Sequence, residues 1–112
     1  MNYLLAILLF IAVDSVWLYM GYSLSSRMIQ NIQGSPISIR ILPALLVYVA
    51  LAYLVSIPKN SKDAFLLGLT VYGVYDLTNY ATLKNYTVQF AIMDTIWGGI
   101  LMSSVWNLLK FF

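Results

Sequence analysis

The chain has 112 residues, of which 62% are hydrophobic and only 9% charged, whereas a soluble domain of this size needs about a quarter of its residues charged to clothe its surface. Histidine, cysteine and glutamate are absent, which excludes imidazole and thiolate metal sites, disulfides and the usual haem ligands, and leaves Asp14, Asp63, Asp76 and Asp94 as the only side-chain carboxylates. The net charge of +2 is scattered over six basic residues, so there is no tract for nucleic acid and no polybasic cluster for anionic lipid. The composition predicts an all-α integral membrane protein that passes the bilayer several times, with membrane lipid as its main partner and neither cofactor nor metal.

A bilayer core of about 30 Å is crossed by about 20 residues of helix. The first qualifying segment is roughly 3–24, interrupted only by Asp14. It lacks the basic start and small-residue cleavage site of a signal peptide and is expected to remain as a spanning helix. Residues 25–38, "SSRMIQNIQGSPIS", read either as a polar loop or as an interfacial helical turn with Met28, Ile29 and Ile32 on one face. The second segment is roughly 41–57, bracketed by Arg40 and Pro58, with Pro43 in the first turn, where a missing N–H does no harm. The third is roughly 63–82, with "SKD" as cap and first turn, and the fourth roughly 87–109. The expectation is one domain over 1–112, a four-transmembrane-helix bundle.

Orientation does not follow from charge. Lys59, Lys62 and Lys110 fall on one side and Arg27, Arg40 and Lys84 on the other, so the positive-inside rule is balanced. A single orientation fixed by other features and dual insertion as an antiparallel dimer both fit. A homo-oligomer, dimer or higher, is expected.

The acids carry the functional signal. "DSVW" (14–17) and "DTIW" (94–97) share Asp, small hydroxyl, β-branched residue and Trp, and they lie in segments that run antiparallel. Counted from the predicted helix ends, Asp14, Asp76 and Asp94 lie ~15, ~9 and ~10 Å below the same surface. Tyr72, Gly73, Asp76, Asn79 and Tyr80 share a stripe of the third helix, as do Ala91, Asp94, Trp97 and Gly98 in the fourth. The small residues among them permit close helix approach. The candidate ion, proton or ligand site is therefore Asp14, Trp17, Tyr75, Asp76, Thr78, Asn79, Asp94 and Trp97. The other tyrosines and Trp106 suit interfacial belts.

Two readings of the acids compete. As structural glue, each would hydrogen-bond across helices for ~0.6–2 kcal/mol. As a functional site, they would hold a cation or protons, because a carboxylate in hydrocarbon costs several kcal/mol and the neutral acid becomes accessible. Three acids with no intramembrane Lys or Arg favour the second. The expected function is proton or cation conduction or ion-coupled transport; the alternatives are a lipid-binding or lipid-modifying protein and a structural membrane subunit. No catalytic set is visible.

The combination Asp14-x-x-Trp17-Leu18, Pro43-Ala44-Leu45-Leu46-x-Tyr48, Tyr75-Asp76-Leu77-Thr78-Asn79-x-Ala81-Thr82-Leu83 and Asp94-x-x-Trp97-Gly98 resembles the small four-helix membrane proteins of domain-of-unknown-function family 2177. The resemblance covers nearly the whole chain, and "YDLTNYATLK" is its most specific part. It implies a four-helix membrane fold without an established activity, in a family of bacteria and large algal viruses. Bacterial members lie among genes for lipid modification and photo-oxidative stress, which is an association and not an activity.

Overall fold

The computed structural model describes residues 1–112 as five helices and no strand: α1 (Tyr3–Met20), α2 (Tyr22–Gln33), α3 (Ile41–Val55), α4 (Ser61–Thr82) and α5 (Val88–Leu109). Three of them start on side-chain caps. Asn2 Oδ1 accepts the Leu5 N–H at 3.0 Å, Asn60 Oδ1 the Asp63 N–H at 2.8 Å, and Thr87 Oγ1 the Phe90 N–H at 3.2 Å. Each satisfies one of the amides that a helix start leaves without a partner.

Besides α4, which starts at Ser61 on an Asn60 cap and not at 63 with "SKD" as its cap, the boundaries correct the sequence expectations in three places. The first helix stops at Met20 and not near 24, because the chain turns at Gly21. A side chain there would meet the Trp17 carbonyl at 3.0 Å and the Trp17 ring at 3.3 Å. Residues 22–33 then form a true helix, not a loop or a single turn, ended by Gly34 in the left-handed conformation (φ 76°). The third correction is α3, which ends at Val55 after only 15 residues, or ~22 Å of rise. Its last amides close 3₁₀-type turns ahead of Pro58, with Ser56 N–H on Tyr53 O and Ile57 N–H on Leu54 O.

Four helices run antiparallel side by side in the spatial order α3, α1, α5, α4; α4 and α5 form the closest pair, and α3 and α4 barely meet. Glycine sets the α4–α5 distance. A Cβ on Gly68 would collide with the Gly98 carbonyl, and one on Gly98 with the Tyr72 ring. Only bare backbone allows this approach, the small-residue packing expected where helices associate without a hydrophobic drive.

The two ends of the bundle differ. Met1, Val55, Pro58, Trp106 and Lys110 gather at one, where Trp106 Nε1 donates to Pro58 O (3.0 Å) and the Lys110 ammonium lies 4.1 Å from the Trp106 ring. At the other, α2 folds over the α4–α5 turn. Met28 is buried with Tyr86 and Ala91, and Ile32 and Phe90 pack around them. Asn85, held at φ 75°, donates to Asn31 O at 3.0 Å and ties the turn to α2. Ser23, Arg27, Gln30 and Asn31 are exposed on the opposite face of α2, so this helix is amphipathic.

The half of the bundle away from α2 is apolar throughout. Ala6, Phe10, Leu51, Ala52, Val55, Ala64, Leu101, Met102 and Val105 form one buried cluster there. Outside, leucine, isoleucine and valine are exposed along the flanks of all four packed helices, among them Leu8, Leu45, Val74 and Ile96. Two helices, α1 and α5, are long and apolar enough to cross a membrane; α3 is apolar but shorter.

Candidate functional site: a carboxyl cluster beneath α2

Asp14 lies six residues before the end of α1, Asp76 six before the end of α4, and Asp94 six after the start of α5. All three therefore lie ~9 Å from the α2 end of the bundle. The estimate of ~15 Å for Asp14 fails because α1 is shorter than expected. All three are buried, Asp76 completely and the other two with less than a tenth of their surface exposed.

The two Asp-x-x-Trp segments bond to each other. Trp17 Nε1 donates to Asp94 Oδ1 at 2.9 Å, and Trp97 Nε1 donates to Asp14 Oδ1 at 2.8 Å. The indoles stack between the pairs, with centroids 6.2 Å apart and planes at 27°. Antiparallel helices with equal motifs exchange equal bonds in this way about a local two-fold axis. The echo is no duplication of halves, however. A duplication keeps chain order and would map α1 onto α4, whereas the exchange joins α1 to α5.

Neutral donors complete the shell. Tyr48 of α3 donates its hydroxyl to Asp14 Oδ2 at 2.7 Å. Tyr86, in the α4–α5 turn, donates to Asp76 Oδ1 at 2.6 Å, and Thr95 reaches Asp76 Oδ2 at 3.4 Å. Burial first, then the hydrogen bond to Asp76, holds the Tyr86 phenol well above the usual tyrosine range. Among N–H, alcohol and phenol donors only Trp17 reaches Asp94, and the Asp94 carboxyl lies within hydrogen-bonding reach of the Asp76 carboxyl. The Asp76 and Asp14 carboxyls are its electrostatic neighbours. No lysine or arginine contributes a bond to any of the three acids.

Asp14 and Asp94 line a cavity of about 450 Å³ between α1, α4 and α5, walled at the α2 end by Met28, Ile29 and Ile32. Trp17, Tyr72, Tyr75, Asn79, Tyr86 and Phe90 also border it. The site residues expected from sequence thus divide. Asp14, Trp17, Asp94 and Trp97 meet directly, Asp76 lies behind them, and Tyr75 and Asn79 face the cavity. Thr78 is exposed, and only its carbonyl is engaged, accepting from Thr82 Oγ1 at 2.8 Å. Tyr80 is exposed as well, off the buried stripe.

Tyr48, Tyr86 and Thr95 are missing from the site expected from sequence, whereas Tyr72 lies on the predicted stripe and borders the cavity. Tyr48 carried a usable signal: it is seven residues into α3, hence ~10 Å deep and level with the acids. Grouping it with the interfacial tyrosines hid this. Tyr86 carried none, because its approach to Asp76 depends on the geometry of the turn.

No curated protein and no solved structure matches the chain. A family model described as "Predicted membrane protein (DUF2177)" matches residues 1–109, and the chain is a member of that family.

Proposed function

We propose that this is a multi-pass membrane protein with a one-sided intramembrane carboxyl site that takes up a monovalent cation or a proton. The four packed helices run antiparallel side by side, so a bilayer crossed by α1 and α5 is crossed by α3 and α4 as well. The longest dimension of the molecule, 43 Å, fits a bilayer of about 40–45 Å with its headgroups. Arg27, Arg40 and Lys84 are exposed at one end and Lys59, Lys62 and Lys110 at the other, clear of the apolar flanks.

One observation carries the reading: Asp94 is more than nine-tenths buried, faces a cavity, and is paired only with the Trp17 N–H and a second carboxyl, that of Asp76, in a cluster that contains no base. Neutral indole and phenol donors stabilise negative charge without cancelling it, so the cluster retains affinity for a cation. The apolar cluster beneath the site closes it off from the far end of the bundle and favours access from the α2 half. That supports binding or carrier-type uptake over an open pore through one protomer.

Dicyclohexylcarbodiimide, an apolar reagent for protonated carboxyls, tests this on the protein in phosphatidylcholine nanodiscs. Mass spectrometry should find the adduct at Asp94, and added methylammonium, sodium or potassium chloride should slow the total modification of Asp94, adduct plus methylamide. Absence of an adduct on all three buried acids, or a rate indifferent to every cation, would overturn the reading.

A further inference from the structure

A second cavity, about 420 Å³, opens between α3 and α4, the two helices that barely meet. Its walls are apolar, with Val47, Ala50 and Leu54 from α3 and Val71 from α4, and its one acidic lining residue is Asp94. Tyr72, Tyr75 and Asp94 border this groove and the cavity beneath α2 alike, so the two spaces adjoin at the carboxyl. From the level of Asp94 the groove descends along α3 to Leu54, 13 residues below the helix start and hence ~20 Å from the α2 end. A lipid of that leaflet has the same direction, polar group toward the surface and chain toward the bilayer centre.

We infer that the groove between α3 and α4 seats a single-chain amphiphile with an ammonium head, the head against Asp94 and the chain between the two helices. The inference rests on the cation reading of the carboxyl site and names its ligand class. Charge complementarity selects the head: Asp94, nine-tenths buried, adjoins a second carboxyl at Asp76 and has no basic neighbour. The rings of Tyr72 and Tyr75, which border the groove beside it, add aromatic surface on which an ammonium is stabilised. A fatty acid would bring a fourth carboxyl into the cluster, and a fatty alcohol would leave its charge uncompensated.

Hexadecylamine, hexadecanol and hexadecanoate share one tail and differ in the head, so they separate the terms. The readout is the total modification of Asp94, carbodiimide adduct plus amide to the added amine, in phosphatidylcholine nanodiscs with the carbodiimide in excess; methylammonium is the head without a tail. Hexadecylamine should protect at least tenfold below the concentration methylammonium requires, and the other two lipids should not protect. Ala50→Phe, at an exposed position of α3, fills the groove; it should raise the required hexadecylamine at least tenfold and leave methylammonium unchanged. If hexadecylamine protects no better than methylammonium, or Ala50→Phe affects both equally, the lipid inference falls and the cation site stands. If neither amine protects, both fall. If Ala50→Phe instead turns a dimer into a monomer in light scattering with hexadecylamine protection intact, the groove is a seam between copies and the inference is overturned.

Discussion

Trp97 donates its indole N–H to Asp14 at 2.8 Å, and Asp94, one helical turn before Trp97, accepts in return from Trp17. Two antiparallel helices are thereby cross-linked twice by the same bond, with the donors stacked between the links. This exchange holds α1 against α5 and brings two carboxyls to one level. Trp97→Phe keeps an aromatic ring and removes one donor, which should cost ~1–3 kcal/mol by leaving a buried acceptor short of a partner. Trp17→Phe should cost a similar amount. Because the indoles touch, the double variant should depart from additivity by ~0.5–3 kcal/mol. Unfolding of the three variants in detergent titrations measures this, and strict additivity would count against the stacked exchange.

The contact of α4 with α5 yields a contrast between neighbouring glycines. Gly98→Ala drives a methyl into the Tyr72 ring, and a close-packed interface answers overfilling with a loss of ~1–3 kcal/mol or more. Gly73→Ala meets only the Thr95 methyl at 3.5 Å, an ordinary contact, and should be nearly neutral. Equal melting temperatures for the two variants would contradict the packing described.

Asn85 joins a backbone requirement to a tether. Its φ of 75° suits glycine or asparagine, and its side chain holds Asn31 of α2. Asn85→Gly should keep the turn but loosen α2, seen as faster hydrogen exchange in residues 22–33 with little loss of overall stability. Asn85→Ala should lose both. Unchanged exchange in Asn85→Gly would show that Met28 and its apolar neighbours alone hold α2 down.

How far the site was legible follows from what each residue depends on. Asp14, Asp94 and their tryptophans could be found because burying a carboxylate in an apolar helix is costly whatever the tertiary structure, and the repeated spacing marked the pair. Four helices followed from hydropathy, but their ends did not: Gly21 turns the chain three residues before polarity rises, and Pro58 shortens α3 from outside it. The amphipathic stripe of Met28, Ile29 and Ile32 was readable, yet its length was hidden by the serines and glutamines of its outer face. Which acid faces the cavity depends on helix rotation, which periodicity fixes only to a broad sector. Asp76 and Asn79 share a predicted stripe, yet the folded chain seals Asp76 away and leaves Asn79, Asp14 and Asp94 lining the cavity.

Tyr86 links the cluster to alkaline pH. Its phenol is held above the tyrosine range by burial and by the Asp76 hydrogen bond, so the folded state keeps this proton at pH values where the unfolded chain, with a pKa of about 10, releases it. The stabilisation is complete below about pH 10 and is lost as pH rises through the folded value. The wild type should therefore lose stability more steeply above pH 10 than Tyr86→Phe, which has no proton there to release. Parallel pH profiles of the melting temperature would remove Tyr86 from the cluster's energetics.

Asp76 is the acid that the cavity does not reach, and its partners define what substitution does. Tyr86 and Thr95 both donate to it inside a fully buried shell. Asp76→Asn retains one carbonyl acceptor for Tyr86 and offers an amide N–H toward the neighbouring Asp94, so it should fold normally and melt within about 1 kcal/mol of the wild type. Asp76→Leu leaves two hydroxyls without an acceptor and should cost a few kcal/mol. The functional consequence separates a positioning acid from a ligand-bearing one. If Asp94 binds the cation directly and Asp76 only adds negative charge behind it, Asp76→Asn should weaken cation protection of Asp94 against carbodiimide several-fold while the adduct still forms there. Asp94→Asn should abolish both adduct and protection at that position without exposing Asp76 to the reagent. An adduct that moves to Asp76 in Asp94→Asn, or cation protection unaltered in Asp76→Asn, would reverse this division of roles.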